Sequence, residues 1–193
     1  MATAMDKAKS LVGHMLRKVH PSKDQLASAQ APGLITIKIS TKTFEPGFAM
    51  PRESTQEGES ISPQISWTGV PPTAKDLALI CEDPDAPHPT PIVHWIVYGI
   101  PPKTTSLESG PPMSAENAVG AKPGKNYQGK TGYMGPMPPL GHGVHHYHFQ
   151  LFALDLPLRF TETPTREQIV KSMEKHVIGM GELVGTYERK AED

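Results

Sequence analysis

The stretch LALICEDPDAPHPTPIVHWIVYGIPP, residues 77–102, decides the fold. Leu77-Ala78-Leu79-Ile80-Cys81-Glu82 reads as a strong strand, closed by the turn formers Asp83-Pro84-Asp85-Ala86-Pro87. A near-continuous apolar run follows over Ile92–Ile100, interrupted only by His94 and stopped by Pro101-Pro102. An apolar run without alternation predicts a strand covered on both faces.

Upstream, Leu34-Ile35-Thr36-Ile37-Lys38-Ile39 has the β-branched content that strands favour, and Ile65-Ser66-Trp67 reads as a short strand. Downstream, residues 101–143 hold 8 Pro and 8 Gly, a long loop of the kind that is functional or flexible. A strong strand is predicted over 144–154. A helix follows over 165–177, with Thr165 and Gln168 as a capping box and Ile169, Val170 and Met173 as its apolar face. Residues 182–188 read as a closing strand. The composition, with 21 Pro and 17 Gly, excludes a simple helical bundle. The expected fold is all-β: an antiparallel β-sandwich with one peripheral helix at the N-terminus and one near the C-terminus.

Residues 1–33 read as a separate unit ahead of a domain over 34–193. Met5, Ala8, Leu11, Val12, Met15, Leu16 and Val19 recur at helical steps, the pattern stops at Pro21, and 22–33 reads as a linker. Such a helix packs on its own domain or on a dimer mate, so a homodimer is one expectation. An interfacial membrane helix is a second reading, with Lys7, Lys9, Arg17 and Lys18 on its polar side but no Trp or Phe to anchor it, and disorder is the third. A formal net charge of -1 argues against nucleic acid as a partner. One cysteine, no secretory h-region and no apolar run of spanning length predict a cytoplasmic protein without a transmembrane segment.

The chemistry gathers at strand ends. Alternation along 144–154 puts His145, Tyr147, Phe149, Leu151 and Ala153 on one face, the more apolar and hence the core face. His146 and His148 then fall on a solvated face. An imidazole and a phenol at the loop end of a core row need partners or an opening to solvent, and a pocket mouth supplies both. His94, sharing a face with Ile96 and Tyr98, occupies a similar strand-start position. Asp83 and Asp85 sit in a turn that proline stiffens. A carboxylate that favours an imidazolium, together with a tyrosine hydroxyl, is chemistry for an anion, with binding that tightens as pH falls. His142, His145, His146 and His148 invite a zinc reading, but alternation splits them between faces and no ligand pattern completes a site; no metal or cofactor is expected. There is no Gly-x-Ser-x-Gly elbow, and the expectation is a binding protein rather than an enzyme, with a hydrolase using Asp83 and the histidines as the minority reading.

The ordered set Ser62-Pro63, Ser66-Trp67, Asp83-Pro84-Asp85-Ala86-Pro87, His94-Trp95, and Gly135-Pro136-Met137-Pro138-Pro139 leading into Gly141-His142-Gly143-Val144-His145-His146-Tyr147 resembles the phosphatidylethanolamine-binding (Raf kinase inhibitor-like) protein family. The likeness is greatest to its bacterial and archaeal branch and covers roughly residues 34–190. It implies a β-sandwich with a small anion-binding cavity near the surface. Carried over by position, the cavity is lined by Asp83, His94, Pro139, His145 and Tyr147, with Asp85 in second rank. It also implies a phosphate-bearing ligand such as a phospholipid head group, and a protein partner of the kinase or protease kind. Met137 stands where relatives often have a small residue or Cys, which predicts a narrowed pocket mouth. Gln64 replaces a usual Pro, and residues 1–33 lie outside the likeness.

Overall fold

The structure, a computed structural model, describes residues 4–16 and 20–190. In chain order the elements are helix α1 (Ala4–Leu16), a 3-10 turn (Lys23–Gln25), the one-turn helix α2 (Ala27–Gln30), β1 (Lys38–Ser40), a second 3-10 turn (Arg52–Ser54), β2 (Ile65–Thr68), β3 (Asp76–Asp83), β4 (Ile92–Ile100), β5 (Ser106–Leu107), helix α3 (Ser114–Val119), β6 (Lys122–Pro123), β7 (His145–Leu154), helix α4 (Arg166–Met173) and β8 (Val177–Tyr187). The strands form two antiparallel sheets, β1-β2-β5 and β6-β4-β3-β7-β8.

Strand β3 lies between β4 and β7, and all its residues are buried. Its odd-numbered side chains, Leu77, Leu79 and Cys81, share a core with Trp95 and Val97 of β4, Tyr147, Phe149 and Leu151 of β7, and Ile65, Trp67 and Leu107 of the smaller sheet. The even-numbered Ala78 and Ile80 pack in a second core with Ile96, Phe152 and the helical residues Ala27, Ile169 and Met173. Apolar cover on both faces explains why β3 and β4 read as unbroken apolar runs. Trp67 in the first core keeps its indole N–H bonded to Thr104 O at 2.9 Å, so its burial leaves no orphan donor.

The second core depends on a buried carboxylate. Glu82 accepts hydrogen bonds from the Ala27 N–H (2.8 Å), the Gln150 amide (2.8 Å) and the Arg166 guanidinium (2.7 Å). Arg166 also donates to the Gln30 side chain and to Gln25 O. These bonds tie α2 and α4 onto the sheet. Residues 22–33, expected as a linker, therefore pack here, with Leu26, Ala27 and Ala31 buried. The face of β7 expected to be solvated is also largely covered: His148 is buried and bonds to Glu182 at 2.9 Å, and His146 is half-buried.

Other boundaries shift for local reasons. In 34–39 only the last two residues join a strand. Leu34 and Ile35 are 75% and 83% exposed, since this stretch bonds only to the edge of β8: Thr36 and Ile37 N–H to Met180 O, and Met180 N–H to Leu34 O. Helix α4 begins with the expected Thr165–Gln168 capping box but ends at Met173, before the 177 expected, because Val177 already pairs with Leu154. That pairing also starts β8 five residues earlier than the closing strand expected over 182–188. Helix α1 follows the predicted period. Arg17, Lys18 and Val19 of that pattern lie outside the described residues.

Removing one partner from a buried ion pair leaves an uncompensated charge, a loss of about 3–5 kcal/mol. Arg166→Leu is accordingly expected to lower the unfolding free energy by about that amount in urea titrations, with Arg166→Leu/Glu82→Leu recovering part of it. Equal losses in the single and double variants would contradict the assignment.

Candidate functional site

A cavity of about 300 Å³ opens at the ends of β3, β4 and β7, with Asp83, His94, Pro139, His145 and Tyr147 in its wall. Five of the six residues selected from sequence thus converge. Their convergence follows from register. Leu77 pairs with Ala153, Leu79 with Leu151 and Cys81 with Phe149, so the alternation that sends these inward sends Asp83, Tyr147 and His145 inward at the strand ends.

His94 reaches the site by a different device. Cys81 pairs with Trp95 and Glu82 with Val93, so two steps on β4 oppose one on β3 and His94 is the extra residue of a β-bulge. Simple alternation had placed it with Ile96 and Tyr98, which lie in the helix-covered core. The bulge turns it instead into the cavity, where its ring meets Tyr147 edge-to-face at 5.0 Å. The loop carrying Met134 locks this position: Met134 N–H donates to His94 O at 2.8 Å, and His94 Nδ1 lies 2.7 Å from Met134 O. That loop is anchored in turn by Tyr133 OH on Ser54 O and by the Gln56 amide on Gly135 O. A Cβ at Gly135 would come within 2.7 Å of Ser54 O, so only glycine permits this approach.

The acidic turn divides its two carboxylates. Asp83 Oδ1 accepts the Asp85 N–H at 2.8 Å, and Oδ2 lies 2.7 Å from His145 Nδ1. Asp85 is turned away from the cavity. Its Oδ2 accepts the His146 N–H at 2.7 Å and meets His146 Nδ1 at the same distance, stapling the turn to the start of β7. His145 has both ring nitrogens occupied, since Nε2 sits 2.7 Å from His142 Nδ1. It presents a ring edge to the cavity rather than the donor expected from sequence. His142 was weighed in the sequence only as a zinc ligand. Its place three residues before His145, in the Gly-His-Gly segment, was the available signal.

Two buried side chains of the wall bear most directly on a ligand, Tyr147 and His94. The Tyr147 hydroxyl is buried and has no hydrogen-bond partner among the described residues. Burial, reinforced by the Asp83 charge, pushes its pKa well above the usual phenol value, so it is a neutral donor. Burial lowers the His94 pKa, an effect only partly opposed by Asp83 and by the Met134 carbonyl. A neutral His94 that donates Nδ1–H to Met134 O carries its lone pair on Nε2. The wall therefore combines a phenol donor with an imidazole acceptor. Met137, 44% exposed, is also part of the cavity wall.

A sequence model described as "Phosphatidylethanolamine-binding protein" matches residues 40–188. The chain belongs to the phosphatidylethanolamine-binding protein family. It is 44% identical to the UPF0098 protein of Pyrococcus abyssi over 80% of this chain and 86% of that one. It is 42% identical to the UPF0098 protein of Methanothermobacter thermautotrophicus over 79% of this chain and 99% of that one. Among solved structures it resembles a putative phosphatidylethanolamine-binding protein homolog of Chlamydia trachomatis, with 36% identity, coverage of 80% and 98%, and a TM-score of 0.72. It also resembles YbcL of E. coli, described as a new member of the mammalian phosphatidylethanolamine-binding protein family, with 27% identity, coverage of 79% and 98%, and a TM-score of 0.73. These relatives are of bacterial and archaeal type, and α1 lies outside the family match.

The lowered His94 pKa has a stability consequence. Below about pH 6.5 unfolded His94 takes up a proton that the folded residue refuses. The stabilisation is present above pH 6.5 and is lost as pH falls toward the folded value, by at most about 1.4 kcal/mol per pH unit. Denaturation of wild type and His94→Gln at pH 7.5, 6.5 and 5.5 is expected to show a smaller acid loss in the variant. The same loss in both would contradict it.

Proposed function

We propose that the chain binds a phosphate-bearing anion, such as a phospholipid head group, in the cavity at Tyr147 and His94. The observation that carries this reading is the Tyr147 hydroxyl, a buried donor without a partner among the described residues, in the wall of an open cavity. An unmet buried donor costs about 1–3 kcal/mol, and a ligand oxygen recovers that cost on binding. A monoprotonated phosphate suits both groups at once: an anionic oxygen accepts from Tyr147, while the P–OH donates to His94 Nε2. As pH falls, the ligand or His94 carries this shared proton more readily, so affinity rises.

The proposed activity is binding without turnover. Cys81 and Tyr147 are both held protonated by burial, so neither is an activated nucleophile. His145 is engaged between Asp83 and His142 rather than beside a hydroxyl. The proposed setting is the cytoplasm, where the single buried cysteine stays reduced. No helix among the described residues is long and apolar enough to cross a membrane. Regulation of a kinase or protease through the surface around the cavity mouth is the extension that the family resemblance suggests.

Tyr147→Phe separates binding from folding. It removes a buried hydroxyl that lacks a partner, so the variant is expected to be as stable as wild type or up to about 1 kcal/mol more stable. Titration calorimetry with phosphoethanolamine is expected to show about tenfold or greater weakening in the same variant, and wild-type binding that is tighter at pH 6 than at pH 7.5. Unchanged affinity in Tyr147→Phe, or no binding to wild type, would overturn the reading.

A further inference from the structure

A second cavity of about 560 Å³ lies against the first. Met137 and Pro139 belong to the walls of both, so the two spaces meet across one ridge of the loop. Helix α1 forms the far wall of the second cavity. Met5, Ala8, Lys9 and Val12 face it, at the spacing of a single helical face. Gly13 closes one end by direct contact, since a Cβ there would fall 2.2 Å from Leu140 O. The ridge is held from below by Arg189, which donates to Pro138 O at 3.2 Å and to Glu57 at 2.9 Å.

Both walls are largely apolar, and they differ in their polar groups. The first offers an unmet phenol donor and an imidazole acceptor. The second is walled mainly by Met5, Val12, Met137, Pro139 and Leu140, with the charged Asp6, Lys9 and Arg189 among them, and its helical wall keeps Met5 64% and Val12 54% exposed. A recess with phosphate-binding groups, separated by one ridge from a mainly apolar groove, fits one molecule with a charged head and an aliphatic tail. We infer that the chain takes a single-chain amphiphile, with its phosphate at Tyr147 and His94 and its alkyl chain crossing Met137 and Pro139 into the groove beneath α1. This rests on the phosphate reading of the preceding subsection and adds a tail site built by a helix outside the family match. It also gives a role to the apolar residues Met5 and Val12 on one side of α1.

An n-alkyl phosphate series tests it on the full chain. Each methylene buried tightens binding by about fourfold at most. Octyl phosphate is expected to bind wild type about tenfold or more tightly than methyl phosphate, with butyl phosphate between. Val12→Glu puts a charge in the groove at an exposed helical position and leaves the phosphate recess untouched. It is expected to flatten the series while keeping methyl phosphate affinity and the far-ultraviolet circular dichroism of wild type. A flat series in wild type, with methyl phosphate bound, would overturn the tail site and leave the phosphate reading standing. If dimerisation that Val12→Glu abolishes accompanied that flat series, the groove would belong to a second copy of the chain and the inference would fail. If methyl phosphate does not bind, octyl phosphate decides: binding that Val12→Glu removes keeps the groove as a tail site, and absence of binding overturns both readings.

Discussion

Two adjacent carboxylates on one central strand organise this protein. Strand β3 is paired on both edges and covered on both faces, so Glu82 and Asp83 are buried and point to opposite sides. A buried carboxylate is tolerated only when its oxygens are met by donors. Glu82 meets that demand by drawing in Ala27, Gln150 and Arg166, which fixes the helical layer. Asp83 meets it with the Asp85 N–H and the His145 ring, which shapes the acidic turn and aligns the start of β7. One constraint, applied to each face in turn, produces a structural layer on one side and a binding recess on the other.

The recess is pre-formed by the same logic of satisfied groups. His94 is held by Met134, His145 by Asp83 and His142, and the lip loop by Ser54, Gln56 and Arg189. The Tyr147 hydroxyl shares with Ser54 Oγ and His148 Nε2 the lack of a hydrogen-bond partner among the described residues, and it differs from them in belonging to the cavity wall. Binding sites differ from cores in this respect: a core satisfies its polar groups, and a site leaves some for the ligand.

Much of this was legible in the sequence because period and punctuation are local. The alternation along β7 identified His145 and Tyr147 as inward residues, and the proline-bounded turn located Asp83. The errors came from non-local facts. The face of His94 depends on a two-against-one count with β3, which alternation along β4 cannot reveal. His148 is buried and paired with Glu182 on a face where residues 22–33, poor in large apolar side chains, bond through their backbone to Glu82 and Gln150. The engagement of His145 on both nitrogens required His142 to fold back over it, and Asp85 left the cavity because His146 offered it two donors.

The most direct test of the central claim is the histidine ring-nitrogen NMR spectrum, recorded as inorganic phosphate is added near neutral pH. The structure predicts a neutral His94 protonated on Nδ1 before addition. On addition its Nε2 resonance should move with saturation, while the rings of the buried His148 and of His176, both outside the cavity wall, stay in place. A His94 resonance indifferent to phosphate, or shifts spread evenly over the histidines, would contradict the account.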